Sequence, residues 1–230
     1  MSRRGAASPG VAHWAIALLV CAGLAVVHTW PLAREPGTLC RNDNSDAQVL
    51  EWIVAWVAHQ LPRDPLNLFQ GNIFYPARDS LAFSEPMIVP AVMAGPALWL
   101  GGSAVLAFNL LILIGFTLTA FATYAVMYAW TRDRLASLLA GSLFAFNAHS
   151  LTHLVHVQAL HAYGLPMTLL LTDGVIGAPR ARTAVALGAC MAMMAYTSGY
   201  LALFGLLMTA VAVAVTVRRW AHDAARRLRD

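Results

Sequence analysis

Lysine is missing from this chain, and all 15 basic residues are arginines. That bias reads as a GC-rich coding sequence and says nothing of function. Charge of either sign is scarce, at 11% of residues, where a soluble domain has roughly a quarter. Cysteine is scarce too: Cys21, Cys40 and Cys190 make an odd set without CxxC spacing. Two of them lie in apolar runs, where a free thiol behaves as a small hydrophobe, so a disulfide framework or a cysteine zinc site has no support. No GxxxxGK[ST] and no strand-linked GxGxxG occurs, which removes the usual grounds for nucleotide chemistry. The arginines form no block interleaved with aromatics, so nucleic acid is not an expected partner. No internal repeat is visible at periods of about 20–50 residues.

What the chain does have is apolar sequence, 59% of its 230 residues, with a mean hydropathy of +0.63. These values predict an all-α, polytopic membrane bundle forming a single transmembrane domain over 1–230. Six transmembrane helices are expected, with seven the alternative. The first span is 11–33, longer than a signal-peptide core and long enough for a bilayer of about 30 Å. Arg3 and Arg4 ahead of it predict a cytoplasmic N-terminus. The remaining spans fall within 84–217: a short, proline-rich one at 84–100, a clear one at 104–130, and a short one from Leu135. A tilted segment ending near Asp173 follows. Gly101-Gly102-Ser103 is read as a cytoplasmic turn, which places Arg132-Asp133-Arg134 outside. The run from Thr183 to Val217 would be about 52 Å long as one helix, so a break is expected near Thr197-Ser198-Gly199. The basic tail 218–230 is expected in the cytoplasm.

Between the first two spans, 34–86 forms a long external loop that holds seven of the 11 acidic residues. Asn42 to Asp46 is rich in helix N-cap residues, and a helix is predicted over about 46–60. Val49, Trp52, Ile53, Trp56 and Val57 fall on one apolar face, which predicts a helix lying on the membrane surface with its tryptophans as anchors.

Two constellations stand out. Asp43 and Asp46 are three residues apart and can share a helix face just beyond the first span, as a general base and its helper. Capping of the helix accounts for the same spacing. His149, His153 and His156 fall on one face if the segment is helical, with Gln158 and His161 close by. That pattern admits a divalent metal, a lipid phosphate, or a solvated face. Asn109, Thr117 and Thr119 inside the third span suit hydrogen bonds between helices.

The cytoplasmic start, single span and acid-led external loop resemble the GT-C superfamily of membrane glycosyltransferases. Four stretches are similar to a bacterial multi-span group within it: D-x5-W-x3-W from Asp46, PLNLFQGNIFYP at 65–76, LAGSLFAFNAHSLTHLVHVQAL at 139–160, and LP at 165–166. The likeness covers roughly residues 11–217. Full-length members have more spans and often a soluble domain, so the resemblance implies an N-terminal module. It implies transfer of a sugar from a polyprenyl-phosphate donor to an external acceptor, at the bacterial inner membrane. Asp46, or alternatively Asp43, would take the base or acceptor-binding role, and Asp133 would be a second acidic contact. Arg78, His153 and His156 would then be the groups to meet phosphate. Expected partners are the lipid-linked donor, membrane lipid and, on the alternative reading, a partner membrane subunit. That alternative is a non-catalytic multi-span protein. A transporter is a third reading, disfavoured because no charged residue lies deep in a span.

Overall fold

The long α4 (Ala104–Thr131) organises the chain. Its 28 residues contain no proline and no charge, so nothing interrupts its hydrogen-bond ladder over about 42 Å. Ser103 caps its start by accepting the Leu106 N–H at 3.1 Å, and Arg132 ends it in the left-handed conformation. A computed structural model describes residues 9–40 and 45–227, with side chains through residue 218. All regular structure among these residues is helical. Around α4 pack α1 (Val11–His28), α2 (Ser45–Gln60), α3 (Ile88–Trp99), α5 (Arg134–Ala145), the short α7 (Val157–Leu160) and α8 (Gly164–Gly177). The remaining helices are α6 (Ala148–Thr152), α9 (Ala181–Thr197) and α10 (Gly199–Arg227).

Aromatic contacts set the direction of α1 against α4. His13 Nε2 lies 3.1 Å from Tyr124 Oη, and Trp14 packs edge-on against Phe121 and Tyr128. At the other end His28 stacks on Phe146, which stacks on Phe116. The helices are therefore antiparallel. The turn after α1 is tied to the start of α4, because Asn109 Nδ2 donates to the Pro36 and Leu39 carbonyls at 2.7 Å each. Ser103 Oγ adds a 3.2 Å bond to the Gly37 carbonyl. Asn109 thus acts as an interhelical polar group, as its place in an apolar span suggests.

This arrangement corrects the expected order of spans. The Gly101–Ser103 turn lies at the same end of the bundle as the connection after α1, so 84–100 is no separate crossing between opposite faces. Chemistry explains why α3 is short. Pro86 and the left-handed Met87 delay its start, and 12 residues extend only about 18 Å. Pro96 also removes one internal hydrogen bond. By the same geometry Arg132-Asp133-Arg134 falls at the opposite end, beside the start of α1, and not on the side of the first loop.

The helix α2 begins at Ser45 and ends at Gln60, close to the boundaries expected from sequence. It does not lie free on a surface. Ala47, Leu50, Ile53, Val54, Val57 and Ala58 are buried where it meets α3 and α4, while Val49 stays 46% exposed. Trp52 and Trp56 flank this stripe and hold the following irregular chain. Trp52 Nε1 donates to Asn72 Oδ1 at 3.0 Å, and Trp56 Nε1 to the Leu68 carbonyl at 2.9 Å. Gly71 permits this approach, because a Cβ there would sit 2.9 Å from the Trp52 ring. Trp99 Nε1 donates to the Ala58 carbonyl at 3.0 Å and joins the C-terminal ends of α2 and α3.

The second half is a three-helix group. Gly164 of α8 lies against Met194 of α9 and Gly174 against Thr183, with Thr168 Oγ1 3.6 Å from Cys190 Sγ between them, so the two helices are antiparallel. The expected break falls at Ser198, between α9 and α10. Among the described residues three helices are long and apolar enough to cross a membrane: α1, α4, and α10 over Gly199–Arg218. The shorter α3 and α5 are apolar as well.

Candidate functional site

Where the N-terminal ends of α2, α3 and α10 meet the α6–α7 segment, the surface is hollowed into two clefts. The first, about 510 Å³, is lined by residues that include Asp46, Glu85, His156, Gln158 and Tyr200. The second, about 400 Å³, shares Glu85, His156, Gln158 and Tyr200 and adds His149, His153, Ser198, Leu201 and Phe204.

Each lining residue is there for a local reason. Asp46 sits in the first turn of α2, where the exposed N-terminal amides favour a carboxylate. Glu85 precedes Pro86 in an extended stretch that carries it to the α9–α10 junction. There Ser198 Oγ donates to its Oε1 at 2.6 Å. Its Oε2 is buried and has no partner. Gln158 Oε1, on the same shared wall, is buried and unpartnered too.

The histidines come together, but not on one helix. Asn147 caps α6 by accepting the Ser150 N–H at 3.0 Å. The helix stops at Thr152, and His156 then precedes α7. The rings nevertheless stack, His149 on His153 at 4.2 Å and His153 on His156 at 6.2 Å. His153 Nδ1 lies 2.9 Å from the His149 carbonyl and 3.0 Å from Thr152 Oγ1. Among the described residues no group of three or more His, Cys, Asp or Glu is placed to hold a metal.

Behind the second cleft, Thr119 Oγ1 donates to the Leu160 carbonyl at 2.7 Å. His161, in the connection before α8, is 1% exposed and donates from Nε2 to the Leu111 carbonyl at 3.0 Å. Burial pushes its pKa down to about 4, so the ring is neutral. Together these bonds pin the cleft floor to the middle of α4.

The residues singled out from sequence fare unequally. Asp46, His153 and His156 line the clefts. Asp43 lies outside the described residues. Asp133 is not near the site: it caps α5 by accepting the Ala136 N–H at 3.0 Å. The end of α4 just before it is about 18 Å beyond Thr119, which corrects its assignment as a second acidic contact. Arg78 is exposed and lies outside the lining of both clefts. Glu85, Gln158, Ser198 and Tyr200 were not picked out as site residues. The one signal for Glu85 was an acid placed directly against a proline-led apolar run. Comparison with protein-family models, curated proteins and solved structures finds no match to the chain.

Proposed function

We propose that the chain is a GT-C-like membrane glycosyltransferase module that moves a sugar from a polyprenyl phosphate to an acceptor at the outer membrane face. One observation carries the reading: the aspartate singled out by the first-loop motif lines a cleft with a second carboxylate and a histidine, at the end of the bundle where α1 terminates. In this reaction the acceptor oxygen bonds to the sugar's anomeric carbon as the bond to the phosphate oxygen breaks. Asp46 takes the acceptor proton, and the polyprenyl phosphate leaves with the bonding pair. His153 and His156 face the leaving phosphate. Leu201 and Phe204, on the α10 side of the second cleft, take the start of the lipid tail.

Charge supports the orientation. Of the 15 arginines, only Arg34, Arg41, Arg63 and Arg78 belong to the first loop. The others lie before α1, in the α4–α5 turn, around the α8–α9 turn, or from Arg218 onward. A cytoplasmic face gathers basic residues in this way. On this reading α1, α4, α5, α8, α9 and α10 cross the bilayer, while α2, α3, α6 and α7 build the outer face. Flanking turns complete the passage of α5 and α8, which are 12 and 14 residues long.

The test is consumption of a polyprenyl-phosphate sugar by the full chain in lipid nanodiscs. Wild type should turn it over, and Asp46→Asn should be at least about 100-fold slower. A second reading, a non-catalytic subunit, is favoured by α10, whose apolar window is only 11% buried within its own chain. Wild-type protein that consumes no donor by itself would favour that reading.

A further inference from the structure

Glu85 and Gln158 each line both clefts, and each has one buried oxygen with no hydrogen-bond partner. Buried polar atoms in folded proteins are nearly always paired, so two orphans on one wall call for an explanation. Both are acceptors: an amide oxygen and one oxygen of a carboxylate. The carboxylate is fixed in place, since Ser198 donates to its other oxygen at 2.6 Å. It also lies against the first turn of α10, where a Cβ on Gly199 would be 3.8 Å from Oε1. The amides at that helix start suit a carboxylate beside them. The wall is thus set to receive hydrogen, not to give it.

We infer that this wall is a subsite for two hydroxyls of one ligand, one donating to Glu85 Oε2 and the other to Gln158 Oε1. A phosphate or carboxylate would bring only further acceptors and be repelled by Glu85. The second cleft continues from the wall to Leu201 and Phe204, and Leu203 and Leu207 of the same helix are exposed. A ligand seated here therefore has a diol at the wall and an aliphatic chain running along α10. Two lipids share that chemistry, a glycosyl lipid and the glycerol headgroup of phosphatidylglycerol. The inference deepens the glycosyl-transfer reading by saying where the sugar hydroxyls sit, but the subsite itself requires only the diol.

The experiment uses the full chain in phosphatidylcholine nanodiscs, whose headgroups carry no hydroxyl. Binding of n-decyl β-D-glucoside, below its micellar concentration, is compared with that of 2-decyloxytetrahydropyran, which has the ring and tail without hydroxyls. Wild type should bind the glucoside at least about tenfold more tightly than the ether. Glu85→Gln keeps the acceptor for Ser198, and Gln158→Met keeps the volume. Each should lose about tenfold in glucoside affinity while ether binding stays put. Competition by added phosphatidylglycerol would support the subsite and name the headgroup diol as an occupant, whereas glucoside binding untouched by it would support the sugar. Equal binding of glucoside and ether by wild type, or wild-type glucoside affinity in both variants, overturns the inference. Discriminating glucoside binding without any sugar transfer would support the subsite and count against the glycosyl-transfer reading. Transfer with an unchanged donor KM in both variants would do the reverse.

Discussion

The contact between α4 and α5 makes a sharp test of the packing because backbone meets backbone there. Gly141 of α5 lies so close to α4 that an added Cβ would be 2.5 Å from the Ala120 carbonyl oxygen. Ordinary contact needs about 3.5 Å, so Gly141→Ala must part the helices by about 1 Å. No flexible side chain can move aside to absorb that. Overpacking of this kind costs about 2–3 kcal/mol, against a gain of about 1 kcal/mol from alanine's better helix propensity. The net loss of about 1–2 kcal/mol corresponds to a fall in thermal midpoint of about 2–8 °C for a chain of this size. Gly188 of α9 supplies the control, since nothing lies within 4 Å of its added Cβ. Gly188→Ala keeps only the propensity term and should raise the midpoint by about 2–4 °C. Tryptophan fluorescence during heating of the detergent-solubilised full chain reads both. A Gly141→Ala midpoint at or above wild type would refute the close approach of α4 and α5.

Other consequences are equally direct. Asn109→Leu strands the Pro36 and Leu39 carbonyls and should lower stability by about 2–4 kcal/mol, seen in the same melts and as earlier protease cleavage after α1. Trp99→Phe deletes the bond to the Ala58 carbonyl and shrinks the ring packed on Gly95, and should cost at least about 1 kcal/mol. His161 has a folded pKa near 4 against an ordinary 6.5, so the unfolded chain takes up its proton first as pH falls. Its share of stability is full above pH 6.5 and is lost between 6.5 and 4. His161→Gln should flatten that part of the stability–pH curve. For orientation, exposed Cys40 should react with an impermeant maleimide from outside intact cells. A cysteine introduced as Arg180→Cys should react only after permeabilisation, and labelling of both from one side would contradict the proposed topology.

Sequence pattern fixed the local features best. The extent of α2, the free cysteines, and the break at Ser198 all follow from apolar periodicity, apolar context and helix length, each of which is a near-neighbour property. Pairing between distant segments was not legible in the same way. Nothing in the Gly101–Ser103 turn says on which end of the bundle it falls. Its placement depends on Asn109 and Ser103 reaching carbonyls near residue 37, about 70 residues earlier. The tryptophans make a related point. An indole N–H suits a headgroup or a loop carbonyl equally well, and only the fold of 65–83 decides between them. In the site, Asp46 was legible because it leads a motif. Counting spans puts Asp133 at the wrong end of the bundle. Glu85 went unassigned because its partners, Ser198 and the wall it shares with Gln158, are distant in sequence and joined only by the fold.

The central claim is that sugar transfer runs in the cleft at Asp46 and not at the other end of α4. Single-turnover transfer from a radiolabelled polyprenyl-phosphate sugar, measured side by side for Asp46→Asn and Asp133→Asn, tests it most directly. Asparagine caps a helix as well as aspartate does, so the second variant should fold and transfer like wild type. The account expects Asp46→Asn to lose at least about 100-fold in rate. Equal rates for the two variants, or a loss confined to Asp133→Asn, would contradict it.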